Sequence, residues 1–314
     1  MYKLLSLIAA LLMAVSADAQ NAKFGKPTQD EWNLTSVSFA PDAEAVVLYK
    51  SVDVTYKLSG SFGAYGSNGD GSLDDNGSAS TGISKQIDPE TTSMLYNVKV
   101  RTKILKDSGL GYASMDIIIF DAQDDQSVLE EFYEMNVVVY SMVNGKVKKK
   151  RLAAANFKDE RVDKFYSIRH IRVPEAKAGD IIEYQYQLFS NRITFIYDTQ
   201  LQESIPVLYA ECKMNIPYFL QFNVNKPEIK NVGSTVALGH LQIGELQNGF
   251  EMPKQCVTNV YTIIARDMPA YDGVIDLENL KSGKVYCVRT ELKEKRYDVK
   301  PDASGPVRHL IIGK

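Results

Sequence analysis

A strict alternation of apolar and polar residues between positions 96 and 104 constrains the fold of this chain more than any other feature. The apolar positions are Tyr96, Val98, Val100, Thr102 and Ile104, and the polar positions between them are Asn97, Lys99, Arg101 and Lys103. A period of two places one set of side chains on each face of a β-strand. We therefore predict a strand with one buried face and one face in water, as in an antiparallel sheet that covers a core on one side.

Similar short segments recur along the chain and predict an all-β protein. Strands are expected at 45–58, 112–120, 132–143, 146–152, 165–173, 182–188, 192–198, 206–216, 219–225, 255–266 and 284–293. Asn144-Gly145 tolerates the positive φ angles of a type I′ turn, which predicts a hairpin. Residues 153–164 are moderately helix-like, and no long helical periodicity occurs. Many short strands separated by turns favour a large β-sandwich of antiparallel strands with few short helices.

The N-terminus has the layout of a secretory signal peptide. Met1-Tyr2-Lys3 is a short positive start, Leu4 to Val15 is an apolar run broken only by Ser6, and small residues follow up to Ala19. We expect cleavage after Ala19. The apolar run is too short for a membrane span, which needs about twenty residues, and no later segment reaches about eighteen. We therefore expect a periplasmic or secreted mature chain without a membrane span.

The remaining sequence divides by composition into three parts. Residues 20–43 are polar and contain Pro27 and Pro41, which predicts an N-terminal arm. Residues 44–295 are expected to form the β-sandwich domain, and residues 296–314 a C-terminal tail or linker. Within the domain, residues 59–85 are rich in Gly, Ser and Asp, and we predict a flexible surface loop there.

Composition excludes some classes of partner. Apolar residues make up 45% of the chain and charged residues 24%, which is ordinary for a globular protein. The net charge of −3 and the pI of about 5.8 give no electrostatic basis for binding nucleic acid or an anionic membrane.

Three cysteines leave the disulfide state open. Cys212, Cys256 and Cys287 could form one disulfide with one free thiol, or could all be buried thiols. Cys212 alternates with polar neighbours and is expected to face the core, whereas Cys287 shares a strand face with Arg289 and is expected to be more exposed.

The candidate catalytic residues do not form a recognisable set. A cysteine nucleophile requires a histidine base, and Cys256 or Cys287 could pair by residue type with His309. Cys256, however, lies in a strand pattern without the helix start that lowers a thiol pKa. His170 lies on a predicted strand, and we expect it to be structural. No G-x-S-x-G motif is present. We predict a non-enzymatic protein without catalytic residues.

No metal or cofactor site is predicted either. The three histidines, His170, His240 and His309, are far apart, and the sequence contains neither H-E-x-x-H nor C-x-x-C. Asn68, Asp70 and Gly71 could match early positions of a calcium-binding loop. Gly66 and Gly77 would then occupy its first and twelfth positions, where carboxylates are required, so a flexible loop is the better interpretation.

Two further features each allow two interpretations. The basic run formed by Lys146 and 148–151 could bind an anionic glycan or phospholipid, but an exposed strand protected by lysines from edge-to-edge aggregation is the simpler explanation. Tyr184 and Tyr186 could stack on sugars. They alternate in step with apolar neighbours, however, so core packing explains them better.

From about residue 42 to residue 292 the chain resembles a bacterial secreted domain, domain of unknown function 3857. The segments that carry the resemblance are Ala45–Tyr49, Val100–Leu105 with Gly109–Ala113, Val143–Val147, Val173-Pro174 with Lys177–Tyr184, Ile205–Glu211 with Ile216-Pro217, and Asp267–Ala270. The resemblance implies an immunoglobulin-like β-sandwich outside the cytoplasm of a Gram-negative bacterium. That domain usually precedes a transglutaminase-like core and carries no assigned catalytic residue.

The chain departs from the family pattern in two places. The 59–85 loop resembles an insertion, and the chain ends at Lys314, where a transglutaminase-like core with its Cys-His-Asp residues would begin. Our first hypothesis is a non-enzymatic interaction or accessory module with a protein or glycan partner in the cell envelope. The alternatives are the N-terminal, non-catalytic part of a transglutaminase- or peptidase-like enzyme whose core lies elsewhere, and a glycan-binding module.

Overall fold

The computed structural model describes residues 24–59, 92–122, 130–244, 255–273, 275, 279, 282–295 and 311–312. The predicted signal peptide, almost all of the predicted 59–85 loop and nearly all of the predicted tail lie outside these ranges. The described residues form mainly β-strands, which confirms the all-β prediction. The helices within these ranges are short: α1 (Gln29–Asn33) and two 3₁₀ helices, Asp107–Ala113 and Ala154–Asn156.

Fifteen strands within these ranges form three sheets. In chain order they are β1 (Ala45–Ser59), β2 (Ser93–Ile104), β3 (Met115–Phe120), β4 (Glu130–Val143), β5 (Lys146–Arg151), β6 (Phe157–Arg161), β7 (Tyr166–Ile171), β8 (Ile181–Ser190), β9 (Thr199–Gln200), β10 (Val207–Pro217), β11 (Leu220–Asn225), β12 (Val232–Gly244), β13 (Gln255–Met268), β14 (Cys287–Lys295) and β15 (Ile311–Ile312). Eight strands form the large sheet, in which β1 pairs with β2 on one side and mainly with β10 on the other. The smaller sheets have the orders β11-β14-β9 and β15-β3-β7-β6.

The main core joins the large sheet to the two small ones, as expected for a sandwich-like fold. Val98, Tyr184 and Met214 of the large sheet share this core with Ile117 of β3 and Phe222 of β11. The burial of Tyr184 and Tyr186 confirms that they are core residues. Most strand pairs are antiparallel, but β1 runs parallel to β10 and, at its end, to β12. The predicted sandwich of antiparallel strands is therefore confirmed, with β1 adding a parallel pairing.

The predicted hairpin is confirmed at Asn144-Gly145. Both residues have positive φ angles, 51° for Asn144 and 72° for Gly145, which suit a type I′ turn. The turn joins β4 to β5 with Val143 opposite Lys146. Sequence chemistry alone therefore fixes this register.

Two of the predicted elements are wrong. The helix-like segment 153–164 contains a single 3₁₀ turn followed by β6, because pairing of β6 with β7 outweighs a weak local preference. The predicted strand 192–198 is an irregular segment before β9. Its carbonyl groups bond to side chains instead of a neighbouring strand: Tyr56 Oη donates to Ile193 O at 3.0 Å, and Thr290 Oγ1 donates to Ile196 O at 3.2 Å. The buried apolar side chains of this segment mimic a strand pattern.

The alternating pattern of β2 predicts that its polar face lies in water. In the structure, part of that face is buried instead. Arg101 is 0% exposed and Lys103 is 4% exposed. The N-terminal arm, residues 24–43, covers this face, and Val37 packs with Leu48 and Tyr140 in a second apolar cluster. The large sheet is therefore buried on both faces where the arm crosses it.

A buried ion-pair network attaches the arm to the sheet. The Arg101 guanidinium donates from Nε to Glu183 Oε1 at 2.8 Å and from Nη1 to Glu31 Oε1 at 2.6 Å. Glu183 Oε2 also accepts from Tyr140 Oη and from the Gly25 backbone N–H, each at 2.8 Å. Buried charges are tolerated only when they are paired in this way. The arm therefore completes the electrostatics of the fold.

Helix α1 positions the arm residues of this network. Thr28 and Glu31 form a reciprocal capping box: Thr28 Oγ1 accepts from the Glu31 N–H at 3.2 Å, and Glu31 Oε2 accepts from the Thr28 N–H at 2.6 Å. Lys103 Nζ donates to the carbonyl oxygens of Glu31 at 2.8 Å and Trp32 at 2.7 Å. One short helix thus presents a carboxylate to Arg101 and carbonyl groups to Lys103.

Candidate functional site

The two edges of the large sheet differ sharply in chemistry. At one edge, all six residues of β5 are exposed, and five of them are Lys or Arg. Lysines along an edge disfavour pairing with another chain, because they repel one another and would lose water. The predicted basic run therefore lies on an edge strand, in the position expected for such protection.

The opposite edge, strand β12, carries no charged residue. β12 pairs with β13 from Val232 to Gln242 and meets β1 only at Ile243 and Gly244. In the described part of the chain, no strand lies on the outer side of residues 232–242. The backbone N–H and C=O groups that point outward there are free to pair with another strand. We call residues 232–242 the open edge.

Apolar side chains on the open edge are strongly exposed. Every residue from Gly233 to Leu238 is exposed, and the exposed fractions are 62% for Val236 and 78% for Leu238. These two side chains lie on the same face, since they are two residues apart in a strand. On β13, Val257 extends the exposed apolar surface opposite His240. The arrangement offers both hydrogen-bonding groups and side chains to an extended segment.

Sequence reasoning missed β12 entirely. Three glycines interrupt the alternation of apolar and polar residues and lower the strand propensity: Gly233, Gly239 and Gly244. No strand pattern is therefore evident in this segment. Gly239 is required by packing, because a Cβ atom there would lie 2.6 Å from Val260 Cγ2. The available signal was the absence of any Asp, Glu, Lys or Arg from Val232 to Gly244, in a chain that is 24% charged.

A second candidate is a small cavity beside a buried ion pair. Lys50 is 2% exposed and its Nζ donates to Glu203, which is also buried. A cavity of about 50 Å³ is lined by this pair together with Tyr112 and Ser204. Tyr112 and Ser204 also line a surface cleft of about 330 Å³, so the cavity and the cleft adjoin. The cavity has room for ordered water beside the pair.

Some buried polar groups lack protein partners within the described part of the chain. The Tyr186 hydroxyl and both amide atoms of Gln200 are buried, and among the described residues they have no hydrogen-bond partner. Burial, with the nearby negative charge of Glu203 as a second cause, raises the pKa of Tyr186 well above its usual value. Tyr186 is therefore a neutral hydroxyl that can donate to water.

Glu130 occupies another buried polar cluster. Its carboxylate accepts from Tyr197 Oη at 2.5 Å, from the Phe120 N–H at 2.8 Å and from Ser190 Oγ at 2.9 Å, and Arg192 Nη1 lies 3.8 Å away. Burial raises the pKa of Glu130, although Arg192 and the hydrogen bonds oppose that shift. The direction follows from desolvation, which penalises the charged form.

This raised pKa predicts a pH dependence of stability. A carboxyl group whose pKa is higher in the folded chain stabilises the fold below its unfolded pKa, about 4.5, and loses that contribution as pH rises. Glu130→Gln stays neutral at every pH. As pH rises above about 4.5, we expect the unfolding free energy of the wild type to fall relative to that of Glu130→Gln. Urea unfolding at a series of pH values measures this difference. Glu134→Gln, the same substitution at an exposed position on the same strand, is the matched control. A constant or rising difference for Glu130→Gln would contradict the assignment.

His170 lies in a cluster of charged side chains on the four-stranded sheet. Its Nδ1 is 2.9 Å from Asp116 Oδ1 and 2.9 Å from Arg172 Nη2, and its Nε2 is 3.2 Å from Glu160 Oε2. Partial burial acts to raise the pKa of Asp116, but hydrogen bonds from Arg172 and His170 outweigh it and hold the pKa below its usual value. Both ring nitrogens of His170 thus face protein groups.

All three cysteines are free and buried. The burial of Cys212 confirms its predicted core position, and the prediction that Cys287 is more exposed is wrong. Cys287 packs beside Ile275 and Val285, which bury it, and it lies opposite Gln200 of β9 in the strand pair. Burial raises the pKa to about 12 for Cys212, about 11 for Cys256 and about 12 for Cys287. Thiols with such pKa values are protonated at neutral pH and are poor nucleophiles. His309, the partner considered for Cys256 or Cys287, lies outside the described residues.

These thiols predict a specific labelling result. In the folded protein, we expect a thiol-reactive chromophore to react slowly, because all three sulfhydryl groups are buried and protonated. In denaturant without reductant, three thiols per chain should react. A titre of one thiol per chain would show that two cysteines form a disulfide.

Two further kinds of feature are absent from the described residues. No group of three or more His, Cys, Asp or Glu side chains is arranged to hold a metal ion there. In the same part of the chain, no helix is both long and apolar enough to cross a membrane. The calcium-loop positions considered between residues 66 and 77 lie outside the described residues.

Comparison with known proteins gives a distant structural likeness. No family model and no curated protein matches this sequence. Among solved structures, the chain is similar to a candidate protease from Parabacteroides distasonis, with a TM-score of 0.46 and 11% sequence identity over 79% of this chain. The chain spans 40% of the length of that protein.

Proposed function

We propose that this chain is a non-enzymatic β-sandwich of the periplasm or secreted space that works by protein–protein contact. The open edge of β12 is the observation that carries the proposal. An extended segment that adds to a sheet edge gains backbone hydrogen bonds, and side chains at alternate positions supply specificity. Val236 and Leu238 provide two apolar side chains at such alternate positions.

The contrast between the two edges supports this choice. Natural proteins disfavour edge pairing with lysines, and β5 follows that rule while β12 does not. An uncharged edge of eleven residues, 232–242, carries an aggregation risk unless a partner occupies it. Its lack of protection is therefore best explained as a binding surface.

The remaining chemistry of the described residues favours a structural role over catalysis. The buried carboxylates of Glu183, Glu203 and Glu130 are each engaged by a cation or by hydroxyl donors. The three thiols have raised pKa values, whereas a cysteine nucleophile needs a lowered one. These groups are accounted for by holding the sheets and the arm together.

The proposed location rests on the signal-peptide pattern of residues 1–19. Expression of the full sequence in a Gram-negative host, followed by N-terminal sequencing of the exported protein, should give a mature chain that begins at Gln20. A cytoplasmic product that retains Met1 would contradict this location.

Site-specific photo-crosslinking tests the proposed contact surface. A benzophenone amino acid at position 238 should give adducts when the protein is crosslinked in the cells that export it. The same amino acid at position 147, an exposed valine on β5, is the matched control and should give few adducts. Equal yields at the two positions would overturn the assignment of the open edge.

An activity test addresses the enzymatic alternative. The mature protein should neither cleave casein nor incorporate an amine probe into it above the blank. An activity that is lost in Cys212→Ala, Cys256→Ala or Cys287→Ala would overturn the non-enzymatic proposal.

A further inference from the structure

We infer that the occupant of the open edge is the β12 strand of a second copy of this chain. The two strands would run antiparallel about a two-fold axis at Ala237 and would join two large sheets into one. This inference rests on the proposed function, since it names the partner of the same surface. It is carried by the self-complementary chemistry of residues 232–242.

The register follows from the positions of the exposed apolar side chains. Ala237 is the midpoint of residues 232–242 and would lie opposite Ala237 of the second copy. Val236 would then lie opposite Leu238 of the second copy, and Leu238 opposite Val236. Because directly opposed side chains share a face, the four would form one apolar cluster across the axis. A shift of one residue would instead place Val236 opposite an alanine and Leu238 opposite a threonine.

Charge permits this self-association. About a two-fold axis, residue i of one strand lies opposite residue j of the other and j lies opposite i, so an edge with charges of one sign would repel its copy. The open edge contains no Asp, Glu, Lys or Arg, and the net charge of the whole chain is only −3. His240, its one titratable side chain, would lie opposite Ser234 of the second copy.

The opposite edge explains why association would stop at two copies. If both edges were open, chains would add at each end and form a fibre. β5 closes the far edge with five basic residues, so in the described part of the large sheet β12 is the edge that can pair. One open edge and one protected edge favour a closed dimer. The self-complementary sequence favours a second copy as the partner, because an edge adapted to a different protein would not need to match itself.

Disulfide trapping tests the register. In the proposed dimer, opposite Cα atoms of an antiparallel pair lie about 4.5–5.5 Å apart, which is within the range of a disulfide. Ala237→Cys should therefore form a covalent dimer on mild oxidation. Ser234→Cys is the control, because that residue would face His240 of the second copy and should crosslink weakly. The native thiols are buried and should not contribute.

Solution mass tests the association itself. By light scattering, the purified wild type should have twice the mass of one chain. Leu238→Lys should be monomeric at the same concentration, because each dimer would contain two lysines beside its axis. Val147→Lys makes the same kind of change on the other edge, where the valine is 50% exposed, and should remain dimeric. Unchanged circular dichroism would show that both variants are folded.

The possible results separate this inference from the proposed function. A monomeric wild type in which Ala237→Cys does not crosslink overturns the dimer. If photo-adducts at position 238 then join the chain to a different protein, the proposed function stands with another partner. If no adducts form either, both proposals fall.

Discussion

Replacing Arg101 by alanine is expected to lower the unfolding free energy by about 3–5 kcal/mol. The guanidinium is fully buried and is shared by Glu183 and Glu31, so its removal leaves two carboxylates without their cation. It also removes one of the attachments of the N-terminal arm to the sheet. Denaturant unfolding measures the loss.

Arg151→Ala is the matched control for this experiment. It is the same substitution at an exposed position on β5, and it should leave the unfolding free energy unchanged within error. If Arg101→Ala cost as little as this control, the arm would not be held by a buried ion-pair network.

Glu203→Gln is expected to cost about 3 kcal/mol, because it leaves the ammonium group of Lys50 buried without a counter-charge. Lys50→Met in the same chain should recover much of that loss, since the buried charge is then removed as well. The double-mutant cycle should give a coupling energy of about 2 kcal/mol between the two positions.

The surface pair Lys150–Glu175 provides the control for this cycle. Both of its side chains are exposed, so Glu175→Gln should cause no measurable change and Lys150→Met should show no coupling with it. A coupling at Lys50–Glu203 as small as the surface value would mean that water reaches the buried pair.

The predictable parts of the fold are those governed by local chemistry. The alternation in β8 places Tyr184 and Tyr186 in the core, and Asn144-Gly145 specifies its own turn. These features depend on residues close in sequence. They were found because a period of two and a positive φ angle are visible in the sequence itself.

The missed features depend on contacts between distant segments. Arg101 alternates like a water-facing residue, and only the arm, some 70 residues earlier, buries it. The parallel pairing of β1 with β10 is likewise a long-range contact. Cys287 shares a strand face with Arg289, but Ile275 and Val285, which lie outside its own strand, pack against it.

The candidate site was missed for a different reason. Strand patterns are recognised by their buried face, and β12 buries few of its side chains. Its lack of charge is a negative feature, which becomes informative only once β12 is known to be an edge. Residues 214–225 are also uncharged, so lack of charge alone would not have singled out residues 232–244.

Amide hydrogen exchange across a dilution series tests the role of the open edge most directly. If β12 pairs with a second copy, the outward N–H groups of residues 232–242 should exchange more slowly as the protein concentration rises by about 100-fold. The amides of β5 should be unaffected over the same series. Exchange at β12 that is fast and independent of concentration would contradict self-association through this edge.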